Sequence, residues 1–162
     1  MPVNALFGLS ILMSLVAFGL VAKLYIWPRL QRMPREKALT VLVTPNAFRF
    51  VGLSFLVPGV VAPSLPSAFA APAAYGDLIA AILAIISVLA LSARASWASA
   101  IVWVFSVWGS LDLLNAFYQG EVGVGIDVRD LGAAFYIPTA IVPPFLIIHG
   151  LIFWLLLRHR SA

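Results

Sequence analysis

The chain contains no cysteine among its 162 residues, and only 10% of its residues are charged. The absence of cysteine excludes disulfides, thiolate metal sites and cysteine nucleophiles. Soluble domains carry about 25% charged residues, so this chain lacks the polar side chains to cover a water-exposed surface. Its 63% hydrophobic content and mean hydropathy of +1.06 exceed what one soluble core of this size could bury. The composition therefore excludes soluble enzymes and disordered chains and indicates an integral membrane protein.

Acidic residues are also scarce: six Asp and Glu stand against ten Lys and Arg, which gives a formal net charge of +4. In a soluble protein this balance would favour nucleic acid as a partner. Here the basic residues flank apolar runs, a position typical of residues that orient a protein in a membrane. We therefore expect the lipid bilayer, and not nucleic acid, to be the partner of these charges.

Five apolar runs are each long enough to cross about 30 Å of hydrocarbon, for which a helix needs about 20 residues. The fold class predicted is an all-α integral membrane protein: one domain over 1–162, forming a bundle of five transmembrane helices. The first run has no basic segment before it, so we expect it to remain as a helix and not to be cleaved as a signal peptide. The predicted spans are 3–27, 45–62, 76–92, 97–118 and 135–157.

The second span is predicted to begin late. Thr44 and Pro45 form a helix start signal, so we expect a short interfacial helix at 34–43 and a new helix from Pro45. This start places Arg49 about 6 Å inside the span, where its side chain can reach the interface. One helix over 38–62 would bury Arg49 in lipid at a cost of about 2.5 kcal/mol or more. The proline-rich segment 63–75 is expected to be a loop on the membrane surface.

The basic residues predict the orientation. With five spans, seven basic residues fall on one side, with Lys23 and Arg49 reaching toward it, whereas the other side has only Arg129. The positive-inside rule then puts the N-terminus outside and the C-terminus in the cytoplasm. We expect a multi-pass protein of the cell inner membrane. The seven residues are Arg29, Arg32, Arg35, Lys37, Arg94, Arg158 and Arg160.

Ionisable residues at membrane depth are functional candidates, because burying them is costly. Asp112, Asn115 and Gln119 share one face of the fourth span. This face is a candidate ligand site for a cation or a proton. The alternative is that Asp112 is hydrogen-bonded to a neighbouring helix and holds the bundle together.

Prolines interrupt the fifth span. Pro143 and Pro144 lack backbone N–H groups and so free the carbonyl groups of Thr139 and Ala140. Freed carbonyls of broken helices form ion sites in transporters. Together with the carboxylate and amide of the fourth span they would supply the oxygen ligands that a small cation prefers. The alternative is a simple kink.

Arg49 and His149 complete the candidate ligand-binding residues. Arg49 could bind a lipid phosphate or an anionic substrate, or only reach to the interface. His149 lies about 12 Å from the cytoplasmic end of its span. It could ligate a haem or a pigment, transfer protons with Arg49 nearby, or be a hydrogen-bonded interior residue. The sequence identifies no cofactor and no metal site.

The sequence contains no convincing catalytic motif, so we do not expect an enzyme; a lipid-acting enzyme lacks a paired base and nucleophile. The leading hypothesis is a subunit or assembly partner of a membrane complex, with other membrane proteins or copies of itself as partners. The alternative is a small-solute, cation or proton carrier that uses the polar face around Asp112 and the proline-broken last helix.

Overall fold

The computed structural model describes residues 2–158. Within that range the chain is helical and forms no β-strand. Five of its helices are long and apolar enough to cross a membrane. We label these five helices in chain order. They are α1 (Val3–Gln31), α2 (Arg35–Leu56), α3 (Ser67–Ser92), α4 (Ala98–Gly123) and α5 (Ile137–Leu157).

Helix α1 continues beyond Trp27, where the sequence predicted its end. A π-helical segment, Ala22–Ile26, precedes Pro28, and the helix then runs on to Gln31. The widened π turn accommodates a residue that lacks an N–H group and would crowd an α-helical turn. Helix α5 uses the same arrangement, since the π-helical segment Ile137–Ile141 stands before Pro143 and Pro144.

Helix α2 corrects the prediction of a separate interfacial helix and a late start at Pro45. It is continuous from Arg35 to Leu56, α-helical to Val43 and 3₁₀-helical over Thr44–Leu56. Thr44 has helical dihedral angles, and its hydroxyl donates to the carbonyl oxygen of Thr40 at 2.7 Å instead of capping a new helix. Arg49 thereby lies deep in the bundle.

Helix α3 corrects the prediction of a loop over 63–75. It begins at Ser67, nine residues before the predicted start at Gly76, and it passes through Pro72. The small residues that suggested a loop are packing residues, because Ala70, Ala73 and Ala74 are buried. Close helix approach through alanine offsets the hydrogen bond lost at Pro72.

The bundle is built around α3, which packs along α2 and α4, while α1 packs mainly on α5. At one end, the segment that joins α2 to α3 docks on the segment that joins α4 to α5. Two backbone hydrogen bonds hold them, from the Ala62 amide to Asp130 at 2.9 Å and from the Ala133 amide to Val60 at 2.8 Å. The fourth helix also continues beyond its predicted end at 118, because α4 extends to Gly123.

Candidate functional site

An arginine and two aspartates from three helices form a buried ion cluster, which we call the Arg49 cluster (Arg49, Asp77 and Asp112). Arg49 is 1% exposed. Its Nε donates to Asp77 Oδ1 at 2.8 Å and its Nη2 to Asp112 Oδ2 at 2.6 Å. Its Nη1 donates to the carbonyl oxygen of Gly109 at 3.2 Å. All three guanidinium nitrogens are therefore bonded within the protein.

The Arg49 cluster lies between one third and one half of the way along its helices, counted from the end of the bundle where α2 ends and α3 begins. Arg49 is seven residues from the end of α2, about 14 Å at the 2.0 Å rise of a 3₁₀-helix. Asp77 is ten residues from the start of α3 and Asp112 eleven from the end of α4, about 15 and 16 Å at the α-helical rise. The three side chains thus meet at one level.

The 3₁₀ geometry of α2 brings Arg49 to this place. The buried residues of the 3₁₀ segment recur at every third position: Asn46, Arg49, Gly52 and Phe55. A 3₁₀-helix has 3.0 residues per turn, so these four side chains lie in one line. In an α-helix, positions nine apart point in opposite directions. The 3₁₀ segment therefore turns one line of buried positions toward α3, and from this line Arg49 also reaches α4.

Two glycines make room for the carboxylates. A Cβ atom at Gly52 would collide with the side chain of Asp77, and a Cβ atom at Gly76 would collide with the side chain of Asp112. Helical glycine is unfavourable by about 1 kcal/mol relative to alanine, so its presence calls for a packing reason. The packing reason here is that the carboxylate of Asp77 lies where a side chain at Gly52 would be, and the carboxylate of Asp112 lies where a side chain at Gly76 would be.

A third glycine accommodates the histidine. A Cβ atom at Gly109 would stand 2.7 Å from His149 Nε2 and 2.8 Å from Arg49 Nη1. His149 Nδ1 is hydrogen-bonded to the hydroxyl of Ser106 at 3.0 Å, and its ring packs on Phe105 with 5.1 Å between centroids. This contact supports the interpretation of His149 as a hydrogen-bonded interior residue.

The enclosure of His149 also bears on the haem or pigment hypothesis. The residue is 1% exposed, and its Nε2 is buried and has no hydrogen-bond partner among the described residues. The space in front of Nε2 is held by Gly109 and Arg49. A tetrapyrrole ring bound at this nitrogen would have to displace the packing of α4 against α5. The geometry favours a role in the polar interior over one as a haem ligand.

A cavity of about 50 Å³ adjoins the Arg49 cluster. Asp77 and Asp112 lie at its inner end, and Glu121 and Ile126 line it near the segment that follows α4. The side chains of Asp77 and Asp112 are 11% and 12% exposed, whereas that of Arg49 is 0% exposed. The part of the Arg49 cluster that borders the cavity is therefore the two aspartate side chains and not the guanidinium group.

The structure places Arg49 differently from the sequence prediction. Arg49 was expected to reach the interface, where it could bind a lipid phosphate or an anionic substrate. It lies instead inside the bundle, 1% exposed and with each guanidinium nitrogen bonded within the protein, so an anion at the interface does not reach it. Pairing with two carboxylates offsets the desolvation cost that argued for the late helix start.

The predicted oxygen site around Asp112 does not form. Asn115 is exposed and does not line the cavity. Gln119 is half-buried, and its side-chain oxygen packs against Gly123. Thr139 is buried but donates its hydroxyl to the carbonyl oxygen of Phe135 at 2.7 Å. Within residues 2–158, no three His, Cys, Asp or Glu side chains are grouped to hold a metal ion.

Sequence reasoning missed Asp77, the glycines and Ser106. Asp77 directly follows Gly76, the predicted start of the third span, so the sequence placed it at the membrane surface and not at membrane depth. A usable signal was the alanine content of the stretch after Pro66, since alanine is the strongest helix former and would extend the helix backward. Nothing in the sequence indicated which glycines face charged side chains.

No curated protein and no solved structure matches the chain. A family model described as "Domain of unknown function (DUF8737)" matches residues 6–157, a range that includes the Arg49 cluster and His149. Because the match covers most of its length, the chain belongs to this family, Domain of unknown function (DUF8737).

Proposed function

We propose that the protein is a multi-pass protein of the cell inner membrane that carries protons. Its N-terminus would lie outside and its C-terminus in the cytoplasm, so that the Arg49 cluster lies near the middle of the bilayer. The five apolar helices and the basic residues at one end of the bundle support this placement. No covalent chemistry is required of the site.

The charge of the Arg49 cluster is the observation that carries the proposal. Two carboxylates share one guanidinium, which leaves one negative charge in excess when both are ionised. An unbalanced charge away from water is costly. Uptake of a single proton by Asp77 or Asp112 makes the cluster neutral, so the site has the capacity to bind and release one proton.

The lining of the cavity favours a proton over an inorganic cation. Calcium takes six to eight oxygen ligands and magnesium six, water molecules among them. Here Asp77 and Asp112 have already given oxygens to Arg49, and the wall beside them consists mainly of apolar residues such as Phe55 and Leu113. A proton needs only one carboxylate oxygen.

The polar groups beyond Arg49 extend toward the other end of the bundle. A Cβ atom at Gly109 would stand 2.7 Å from His149 Nε2 and 2.8 Å from Arg49 Nη1. These two nitrogens therefore lie within about 5.5 Å of each other. One water molecule can bridge such a gap. Asn46, one 3₁₀ turn from Arg49, has a buried side-chain oxygen without a partner among the described residues. His149 Nε2 and the Asn46 oxygen offer hydrogen bonds to water molecules that would relay a proton toward the cytoplasmic side.

The test is proton flux into liposomes that contain the purified protein and a pH-sensitive dye, driven by a potassium diffusion potential. We expect flux above that of empty liposomes, and at least tenfold less flux for Asp112→Asn and Asp77→Asn. The matched control is Asp127→Asn outside the spans. Hydrogen bonds from Arg129 lower the pKa of Asp127, so this control also removes a full charge at neutral pH.

Two results would contradict the carrier function: no flux above that of empty liposomes, or equal flux for the wild-type protein and both Asp77→Asn and Asp112→Asn. Gel filtration of each variant in detergent distinguishes loss of flux from loss of folding. Asp127→Asn is expected to keep the wild-type rate, because its carboxylate lies on the surface away from the cluster.

The second candidate function is a subunit or assembly partner of a membrane complex. Its support comes from α1. Only 11% of the apolar 18-residue stretch of α1 is buried inside the protein, against 28% to 50% of the corresponding stretches in the other four helices. Ser14 in α1 also has a buried hydroxyl without a hydrogen-bond partner among the described residues. Native mass spectrometry of protein released gently from its own membrane tests this: other polypeptides at fixed stoichiometry would favour the subunit role.

A further inference from the structure

The wall of the cavity beside the Arg49 cluster is aromatic. Two of its rings, Phe55 and Phe69, meet edge to face with 5.7 Å between centroids. Aromatic faces attract cations, and they do so best when the cation is an organic ammonium group that sheds water easily. Four phenylalanines line this cavity: Phe7, Phe55, Phe69 and Phe117.

The polar groups that line the cavity determine the sign of the charge that a ligand must have. The exposed parts of the Arg49 cluster belong to the side chains of Asp77 and Asp112, while the guanidinium is fully covered. Glu121 adds a third carboxylate to the lining. An anion would meet only like charge here, and a neutral molecule would leave the excess negative charge unbalanced. The site is therefore complementary to a cation that can also contact apolar surface.

The volume limits the size of that cation. A water molecule needs about 10–15 Å³ of cavity measured in this way. The observed 50 Å³ therefore accommodates a few non-hydrogen atoms. This is enough for an ammonium group with one or two carbon atoms, and too little for a bulky aromatic amine without rearrangement.

We propose that this cavity binds small primary alkylammonium ions, of the size of methylammonium and ethylammonium. The ammonium group donates hydrogen bonds to the free oxygens of Asp77 and Asp112, and the alkyl group lies against Phe55 and Phe69. The ammonium ion would neutralise the same excess negative charge of the Arg49 cluster that a proton neutralises in the proposed function, and to this extent the site rests on that function. A bound ammonium ion and a bound proton then exclude each other.

The test is isothermal titration of methylammonium into the full chain in lipid nanodiscs. We expect saturable binding that a hundredfold excess of sodium does not displace. Repeating the titration in buffers of different ionisation enthalpy should give release of up to one proton per ion bound, increasing as the pH is lowered. Tetramethylammonium, which has no N–H donor, should bind at least tenfold more weakly than methylammonium.

Variants connect the binding to the cavity. Asp112→Asn should weaken methylammonium binding at least tenfold, because it removes the excess charge. Phe69→Leu keeps an apolar side chain but removes the aromatic face, and should weaken binding about threefold. The matched control is Phe48→Leu, at a position 65% exposed and outside the cavity, which should bind as the wild type does.

The outcomes separate this site from the proposed function. Proton flux without methylammonium binding would overturn the ammonium site and leave the proton carrier standing. Binding without flux would support the site and overturn the carrier. Equal binding by the wild type and Asp112→Asn, with the variant correctly folded, or displacement of methylammonium by equimolar sodium would also overturn the site.

Discussion

At the residue scale, Arg49 is buried, and each nitrogen of its guanidinium group has a hydrogen-bond partner. Its neighbours supply two carboxylates and one carbonyl oxygen, and it also stands over the ring of Phe145 at 5.9 Å from the centroid. A buried pair of this kind adds little net stability compared with apolar residues, but removal of one partner leaves the other charge unbalanced. Variants at this position therefore report on the cluster as a unit.

Arg49→Gln is expected to destabilise the folded protein by about 3–5 kcal/mol, because Asp77 and Asp112 would then face each other without a cation. The measurement is unfolding in mixed micelles of increasing SDS fraction. Arg129→Gln is the matched control, since Arg129 pairs with Asp127 on the exposed surface, and it should unfold with the wild type. Equal unfolding midpoints for the two variants would contradict the role given to Arg49.

The glycines beside the charged side chains give a second test at this scale. Gly76→Ala should destabilise the protein by about 1–3 kcal/mol, because the new methyl group would collide with Asp112 while Arg49 holds that carboxylate in place. The control is Gly150→Ala, at a helical glycine with open space around it. Alanine there should be neutral or stabilising by up to about 1 kcal/mol. SDS unfolding of both variants checks the difference, and a stable Gly76→Ala would contradict the close contact.

At the scale of the element, the 3₁₀ segment of α2 is the most unusual part of the fold. Runs longer than three or four residues of 3₁₀-helix are uncommon, and this one extends over 13 residues. It begins one residue before Pro45, whose missing N–H group weakens a continuing α-helix at this point. As a result, the buried positions form a single line, and Arg49 in this line contacts the carboxylates of Asp77 and Asp112.

The absence of cysteine makes this geometry directly testable. Single cysteines placed at positions 46 to 56, apart from Arg49 and Gly52, and spin-labelled should give oxygen accessibility with a period of 3.0 residues. The accessible positions include Phe48, Phe50 and Val51, and the protected ones Asn46 and Phe55. A period of 3.6 would mean that α2 is an ordinary α-helix, in which Asn46 and Phe55 cannot share a face.

Sequence reasoning predicted the existence of the five helices but misplaced two of their beginnings. Apolar runs of about 20 residues are a strong signal, and each became a helix. The starts of α2 and α3 were wrong because they depended on local signals, a Thr-Pro pair and three prolines. Packing of small residues and charge pairing between helices overrode those signals, as tertiary contacts commonly do.

The candidate site was predicted in part for a related reason. Asp112, Arg49 and His149 were singled out because ionisable residues inside an apolar run are unusual. Their partners were not predicted, since Asp77 and Asp112 approach Arg49 from other helices. Spacing along one helix gives the residues of a face, but it does not give the neighbouring helix that the face contacts.

At the scale of the whole molecule, the two ends of the bundle differ in charge and in structure. One end has Arg35, whose guanidinium donates to the last carbonyl groups of α5, at Leu155 and Leu156. The other end has the two docked connecting segments, and the cavity extends toward it from the Arg49 cluster. In the proposed membrane placement, the orientation of the protein would therefore decide from which side the carboxylates are reached.

The orientation is tested with one cysteine at each end of the otherwise cysteine-free chain. Val122, in the last turn of α4, is 69% exposed, and Ser92 ends α3 at the opposite end of the bundle. A membrane-impermeant maleimide added to intact cells should label Val122→Cys and not Ser92→Cys, and detergent should make both reactive. The wild type provides the unlabelled control. The reverse pattern would contradict the positive-inside assignment and would open the cavity to the cytoplasm, where a carrier would load protons from the opposite side.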